Sequence, residues 1–123
     1  MLLDRFYDST LAYQGYGHGL DLDMLRTITQ FATGGLTPHL TIYLDLSPTV
    51  ALNRRYHASL FGEAFDRLDG LEAAFRERVV QGYEAIIAAE PDRFARVNAE
   101  QPLEQVGADV LSIICDRLGL PVP

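Results

Sequence analysis

The sequence predicts an α/β chain, a parallel sheet with helices on both of its faces. Three observations carry that reading. Two short runs, residues 40–46 and 94–98, are rich in β-branched and aromatic side chains and have the length of strands. Between and around them, apolar residues recur at three- and four-residue steps, which is helical spacing. Strands that alternate with helices make parallel sheets, because a parallel pair needs a long crossover that is usually helical. Read in order, the chain gives a strand stub, helix, helix, strand, helix, loop, helix, strand and helix.

The first element is a stub. Residues 1–3 read as the end of a buried parallel strand, shorter than the five or so residues that are usual. Asp4 and Arg5 then fall at its carboxyl end, where open α/β sheets place their ligands. Arg5 offers a planar fork of donors suited to phosphate, and Asp4 offers an acceptor for hydrated Mg²⁺; the alternative is a surface ion pair. Ser9 or Thr10 can cap the next helical turn, and Tyr13 on its own would read as core packing. Residues 15–19, Gly-Tyr-Gly-His-Gly, are glycine-rich enough to read as a flexible loop, and His18 carries no assigned role.

The next helix covers residues 21–32. Its stripe is Leu22, Leu25, Ile28, Phe31 and Ala32; Asp21 and Asp23 favour its positive end, and Gly34 or Gly35 closes it in the left-handed conformation. Residues 40–46 form the clearest strand, read as central, with Asp45 near its carboxyl end as either a metal aid or a plain exposed carboxylate. Ser47 and Pro48 open a short helix as cap and first residue. That helix ends in Asn53-Arg54-Arg55-Tyr56-His57, and the following segment to Asp69 is aperiodic and reads as a mobile loop. Residues 68–89 make the longest helix, striped by Leu68, Leu71, Phe75, Val79, Tyr83 and Ile86. After the short strand at 94–98, a last helix at 102–118 buries Val106, Val110, Ile113, Ile114 and Leu118, leaving the proline-rich tail frayed. Cys115 reads as a buried inert thiol.

Composition narrows the function. At 123 residues the chain is one domain, spanning 1–123, and 48% hydrophobic with 22% charged residues marks it as globular. A net charge of −7 argues against binding nucleic acid through a basic surface. No apolar run approaches a membrane span and no signal peptide opens the chain, so a cytoplasmic location is expected. All ten basic residues are arginines. A phosphate-binding loop of the form G-x-x-x-x-G-K-[ST] needs a lysine at the transferred group, so this sequence contains no such loop.

The string Asp4-Arg5-Phe6-Tyr7-Asp8-Ser9-Thr10-Leu11-Ala12-Tyr13-Gln14 resembles the signature of thymidylate kinases, with an apolar pair before it. The likeness continues through residues 15–21, Ala32-Thr33-Gly34-Gly35-Leu36, Pro38, Leu44-Asp45-Leu46, Asp66-Arg67 and Gln81-Gly82-Tyr83, and so covers nearly the whole chain. It implies a partial P-loop nucleotide-kinase fold, an incomplete domain lacking the N-terminal strands and the P-loop. In the family's strand order 2-3-1-4-5, this chain would supply the third, fourth and fifth strands. It implies transfer of a phosphoryl group from ATP to dTMP, giving dTDP and ADP, with Mg²⁺ as the cofactor. Arg5 would hold the monophosphate, Ser9, Thr10 and Gln14 would lie near the pyrimidine, Tyr13 would pack against the deoxyribose, and Tyr83 would approach the same nucleotide. Asp4 would hold Mg²⁺ through water. A lid-like segment at about 54–69 would bring Arg54, Arg55 and Arg67 to the ATP phosphates, with Arg5 and Arg67 the catalytic pair. Asn98 would border adenine, although the family usually has Asp there. The helix at 21–32 would take part in a homodimer. The isolated chain is expected to be inactive, and the alternative is a non-catalytic remnant that binds a complementing N-terminal half or a full-length kinase subunit.

Overall fold

A computed structural model describes residues 1–58 and 69–123. They group into two compact units. The first combines Met1–Thr37 with the long helix Asp69–Ala89; the second combines residues 38–58 with Pro91–Pro123.

In the first unit, residues 1–3 form no strand, and Met1 and Leu2 stand almost wholly in solvent. Only a neighbouring strand can satisfy a strand's ladder groups, and no strand of the first unit is found among the described residues. The expected stub is therefore replaced by an extended lead-in and a bend at Asp4-Arg5. Helix α1, Tyr7–Thr10, follows, with Phe6 in an extended conformation at its N-cap. No side chain caps it; Ser9 and Thr10 lie inside the turn instead of in front of it, so the capping role read from the sequence does not hold. The chain then runs directly into a π-helix, Leu11–Gly17, where a flexible glycine loop was expected at 15–19. Packing explains the difference. Gly15 and Gly17 are buried, and a Cβ on Gly17 would lie 2.6 Å from the Phe75 ring, so these glycines permit close approach and do not confer freedom. The segment ends at Gly19, whose φ of 76° only glycine adopts cheaply.

Helix α2, Leu22–Thr33, starts and stops where its residues dictate. Asp21 accepts from the Met24 N–H at 2.8 Å, and Gly34 at φ 63° sends its N–H to Phe31 while Gly35 bonds Gln30, a Schellman closure. The expected apolar stripe is only half inside: Leu25 is buried and Leu22 half-buried, but Phe31 is 90% exposed. Helix α4, Asp69–Ala89, buries Val79, Ile86 and Ile87 and packs lengthwise on the π-helix. Leu68 and the side chain of Leu71, both of its expected stripe, lie outside what is described.

The second unit holds the sheet. Strands β1, Thr41–Asp45, and β2, Phe94–Asn98, pair in parallel with Thr41 opposite Phe94 and Asp45 opposite Asn98. The ladder runs one bond further at each end, through Thr41 N–H to Arg93 and Ala99 N–H to Asp45. β1 has one partner among the described residues and is half-buried to exposed, so it is an edge strand here and not the central strand expected. Helix α3, Pro48–Ala58, begins with Ser47 accepting from Val50 N–H at 3.4 Å. Its last turn carries Arg55 and His57, in keeping with the helix end read at residues 53–57; residues 59–68, most of the segment expected as a mobile loop, lie outside the described residues. Helix α5, Leu103–Leu118, half-buries Val106, Val110, Ile113 and Ile114 and buries Cys115 as expected, but leaves Leu118 half exposed beside the left-handed Gly119. The core under β2 consists of Phe94, Val97 and Ala99, with Arg93 buried beside them, its guanidinium over the Phe94 ring and bonded to the Thr41 hydroxyl at 2.8 Å. Among the described residues, no helix is long and apolar enough to cross a membrane.

Candidate functional site

The first unit gathers several of the sequence-predicted residues. α1 points the Ser9 hydroxyl at the Tyr83 hydroxyl of α4, 2.9 Å away across 74 residues of sequence. Tyr13, four residues on from Ser9, receives the Arg5 guanidinium 5.3 Å from its ring centroid, within cation–π range. Arg5 itself has φ 65°, a left-handed conformation that costs a non-glycine residue of order 1 kcal/mol or more and that clusters at ligand sites. Asp8, buried to 5% exposure, lies within electrostatic reach of Tyr83. Burial pushes the Tyr83 phenol above its ordinary value; the Ser9 hydrogen bond opposes this, Tyr13 adds to it, Arg5 opposes it and Asp8 adds to it. Tyr83 is therefore a neutral hydroxyl at physiological pH, able to donate or accept. Thr10 is half-buried on α1 and Gln14 is exposed on the π-helix. Asp4 is exposed ahead of them.

A guanidinium, two aromatic hydroxyls and a serine hydroxyl around one half-buried face suit a small ligand with an anionic group and a flat polar body. Phe75 lies behind this face, 6.0 Å from the Tyr13 ring and 4.7 Å from His18. A smaller cleft of about 200 Å³ beside Tyr7, Leu11, Thr29 and Gln30 contains none of the predicted site residues.

The second unit has its own polar cluster, at the carboxyl ends of the two strands. Asp45, Ser47, Arg96, Asn98 and Glu100 line an open cavity of about 390 Å³. Asp45 pairs with Arg96 at 3.3 Å, which gives that strand-end carboxylate a partner within the protein. Asn98 accepts from the Glu100 N–H at 2.9 Å through its side-chain oxygen. Glu100 in turn accepts from the Ser47 N–H at 2.9 Å, and its carbonyl takes a bond from Arg54 at 3.3 Å. Those bonds from Ser47, aided by Arg54, hold the Glu100 carboxyl below the usual carboxylate range. Arg55 is exposed on α3. Arg67 lies outside the described residues.

No group of three or more His, Cys, Asp or Glu side chains close enough to hold a metal ion exists among the described residues. Magnesium in phosphoryl-transfer sites uses one or two carboxylates and otherwise phosphate and water. Asp4 is an exposed carboxylate of the type that such a site uses.

The sequence reading missed Arg78, which donates to the Gly17 carbonyl, and Glu100, which satisfies the start of α3. Neither has a local signal: each acts on a backbone group more than fifty residues away. Arg96 was equally silent, since only the register brings it beside Asp45.

Residues 1–110 match the family model described as Thymidylate kinase. The chain belongs to the thymidylate kinase family. It is 48% identical over 120 residues to a thymidylate kinase of Synechococcus sp. (strain JA-2-3B'a(2-13)), covering 98% of this chain and 55% of that protein. A thymidylate kinase of Chlorobium luteolum is 44% identical over 122 residues, at 95% and 57% coverage, and one of Bacillus pumilus is 44% identical over 118 residues, at 96% and 55%. This family member thus spans little more than half the length of these curated relatives.

Proposed function

We propose that this chain carries the acceptor side of a thymidylate kinase, in which dTMP takes the γ-phosphoryl of ATP to give dTDP and ADP. The observation that carries the reading is the convergence of Arg5, Ser9 and Tyr13 with Tyr83, from two segments far apart in sequence. In this reading Arg5 clamps the acceptor phosphate with its fork of donors, and Tyr13 packs the deoxyribose where a 2′-hydroxyl would clash. Ser9, Thr10 and Gln14 meet the pyrimidine, and the neutral Tyr83 hydroxyl completes that wall. Arg54, Arg55 and Arg67 serve the ATP phosphates, and Asn98 borders the adenine at the strand ends. Asp4 would hold a hydrated Mg²⁺, which neutralises phosphate charge when bound. Catalysis of this kind is positioning and charge neutralisation, with Arg5 and Arg67 on the moving charge. The chain works as one incomplete domain in the cytoplasm, with a second copy or a complementing front half as its protein partner.

The sequence contains no lysine to reach a transferred phosphoryl, so the chain alone is expected to be inactive. The test is turnover of dTMP and Mg-ATP by the pure chain, proven free of host kinase, with and without a polypeptide that supplies a P-loop front half. No ADP from the chain alone and ADP with the addition support the reading. Turnover by the chain alone refutes the inactivity, and no turnover in a demonstrably formed mixture refutes the acceptor-side role.

A further inference from the structure

We propose that Arg78 is a positioning residue for Tyr13, acting through the Gly17 carbonyl; the inference rests on the acceptor-side reading above. A π-helix bonds each N–H to the carbonyl five residues back, and its last turn leaves carbonyls without a donor from the helix itself. Here His18 N–H donates to Tyr13 at 2.9 Å and Leu20 N–H reaches Gln14 at 3.0 Å. The Gly17 carbonyl, at the close of the segment, takes its bond from Arg78 Nε at 3.0 Å. A cation suits that place, because the carbonyl end of a helix carries partial negative charge and a charge-assisted bond is stronger than a neutral one.

α4 therefore grips the helical stretch Tyr7 to Gly17 at two points. Tyr83 holds Ser9 near the beginning, and Arg78 holds Gly17 at the end. Tyr13 lies between the two grips. The second is seated as well as bonded: a Cβ on Gly17 would meet Phe75 at 2.6 Å and Val79 at 3.1 Å, so the backbone there rests directly on α4. Phe75 touches the Tyr13 and His18 rings, and the Arg78 guanidinium lies 5.9 Å from the same Phe75 ring. Without the Arg78 donor, the wide turn is free to relax to ordinary four-residue bonding, the more common form. That change of winding rotates Tyr13 about the helix axis and away from Arg5 and Tyr83.

The test is amide exchange by NMR on the 123-residue chain, followed by titration with millimolar dTMP. Arg78→Met keeps the stem and removes the donor; Arg78→Lys keeps a cationic donor. In Arg78→Met the His18 and Leu20 amides should exchange roughly tenfold faster, the loss expected for one charge-assisted bond, with α2 unchanged. Arg78→Lys should recover most of the protection. In the unaltered chain and the lysine variant dTMP should shift the Tyr13 ring protons, and in the methionine variant it should not. Arg78→Leu, apolar and without a donor, supplies the same comparison if the methionine variant does not fold. Unaltered His18 and Leu20 exchange overturns the grip. Loss of protection spread evenly over α2 and α4 overturns it too, since it marks general loosening. A Tyr13 ring that ignores dTMP in the unaltered chain, with exchange responding as stated, overturns the acceptor-side reading and with it the role toward ligand.

Discussion

Gly82→Ala puts the close packing of α4 on the π-helix to a quantitative test. A Cβ at Gly82 would lie 2.7 Å from both Cβ and Cγ of Tyr16 and 2.8 Å from its Cδ2. Carbon atoms rest about 3.5–4.0 Å apart, so the overlap approaches 1 Å. Rotating the Tyr16 ring cannot relieve it, because Tyr16 Cβ is fixed to the backbone. The π-helix must therefore back away from α4. Overpacking of this kind costs about 1–3 kcal/mol. Against it stands a gain of about 1 kcal/mol for alanine over glycine inside a helix. With a backbone-anchored clash the cost falls at the upper end, leaving a net loss of about 1–2 kcal/mol. For a chain of this size that is a fall in melting temperature of about 3–8 °C. Gly107→Ala is the control: Gly107 is exposed on α5, a Cβ there would have nothing within 4 Å, and the same substitution should stabilise by about 0.5–1 kcal/mol. Both are read by thermal and urea unfolding followed by circular dichroism. A Gly82→Ala chain that melts at or above the unaltered one would refute the reasoning.

Four further outcomes follow from other contacts described above. Spectrophotometric titration should find a tyrosine ionising above the ordinary range that is absent from Tyr83→Phe, and Arg5→Gln should push it higher still, because Arg5 now draws it down. A phenol raised in the folded state contributes stability in full below pH 10, lost as pH rises through the folded value, so alkaline unfolding should begin later in Tyr83→Phe. Glu100 is the opposite case: its depressed carboxyl contributes above its unfolded value of 4.5, and that contribution goes as pH falls through the folded value, so Glu100→Ala should flatten the stability profile below pH 4.5. Leu25→Ala should cost about 2–4 kcal/mol, whereas Phe31→Ser further along the same helix should stay within about 0.5 kcal/mol, as denaturant midpoints will report.

The strong local signals of the sequence were the ones the structure repeats. Asp21, Gly34 and Pro48 act on backbone within a turn of themselves, and each ends or begins a helix where its chemistry says it should. The two strands were equally readable from their composition. What local reading lost depended on partners. Residues 1–3 have strand composition, but the described residues of their unit hold no strand to pair with, and the glycines at 15 and 17 look flexible until Phe75, Val79 and Leu25 close over them. In the cluster, Ser9, Tyr13 and Tyr83 were named from the resemblance, and the Ser9–Tyr83 contact joins residues that no spacing argument relates. Arg78 and Glu100 stayed hidden because their partners are main-chain atoms, which have no signature in a side-chain pattern.

The register of the two strands also sets a clock. Thr41 is opposite Phe94, so the partner that β1 has among the described residues is made 53 residues later. At ribosomal speeds of about 5–20 residues per second, that is an interval of roughly 3–10 s. During it Thr41-Ile42-Tyr43-Leu44 has been made but its ladder has not, and such a segment is the kind that pairs with another copy of itself. The parallel pairing that defines the second unit thus separates its two strands in time as well as in sequence.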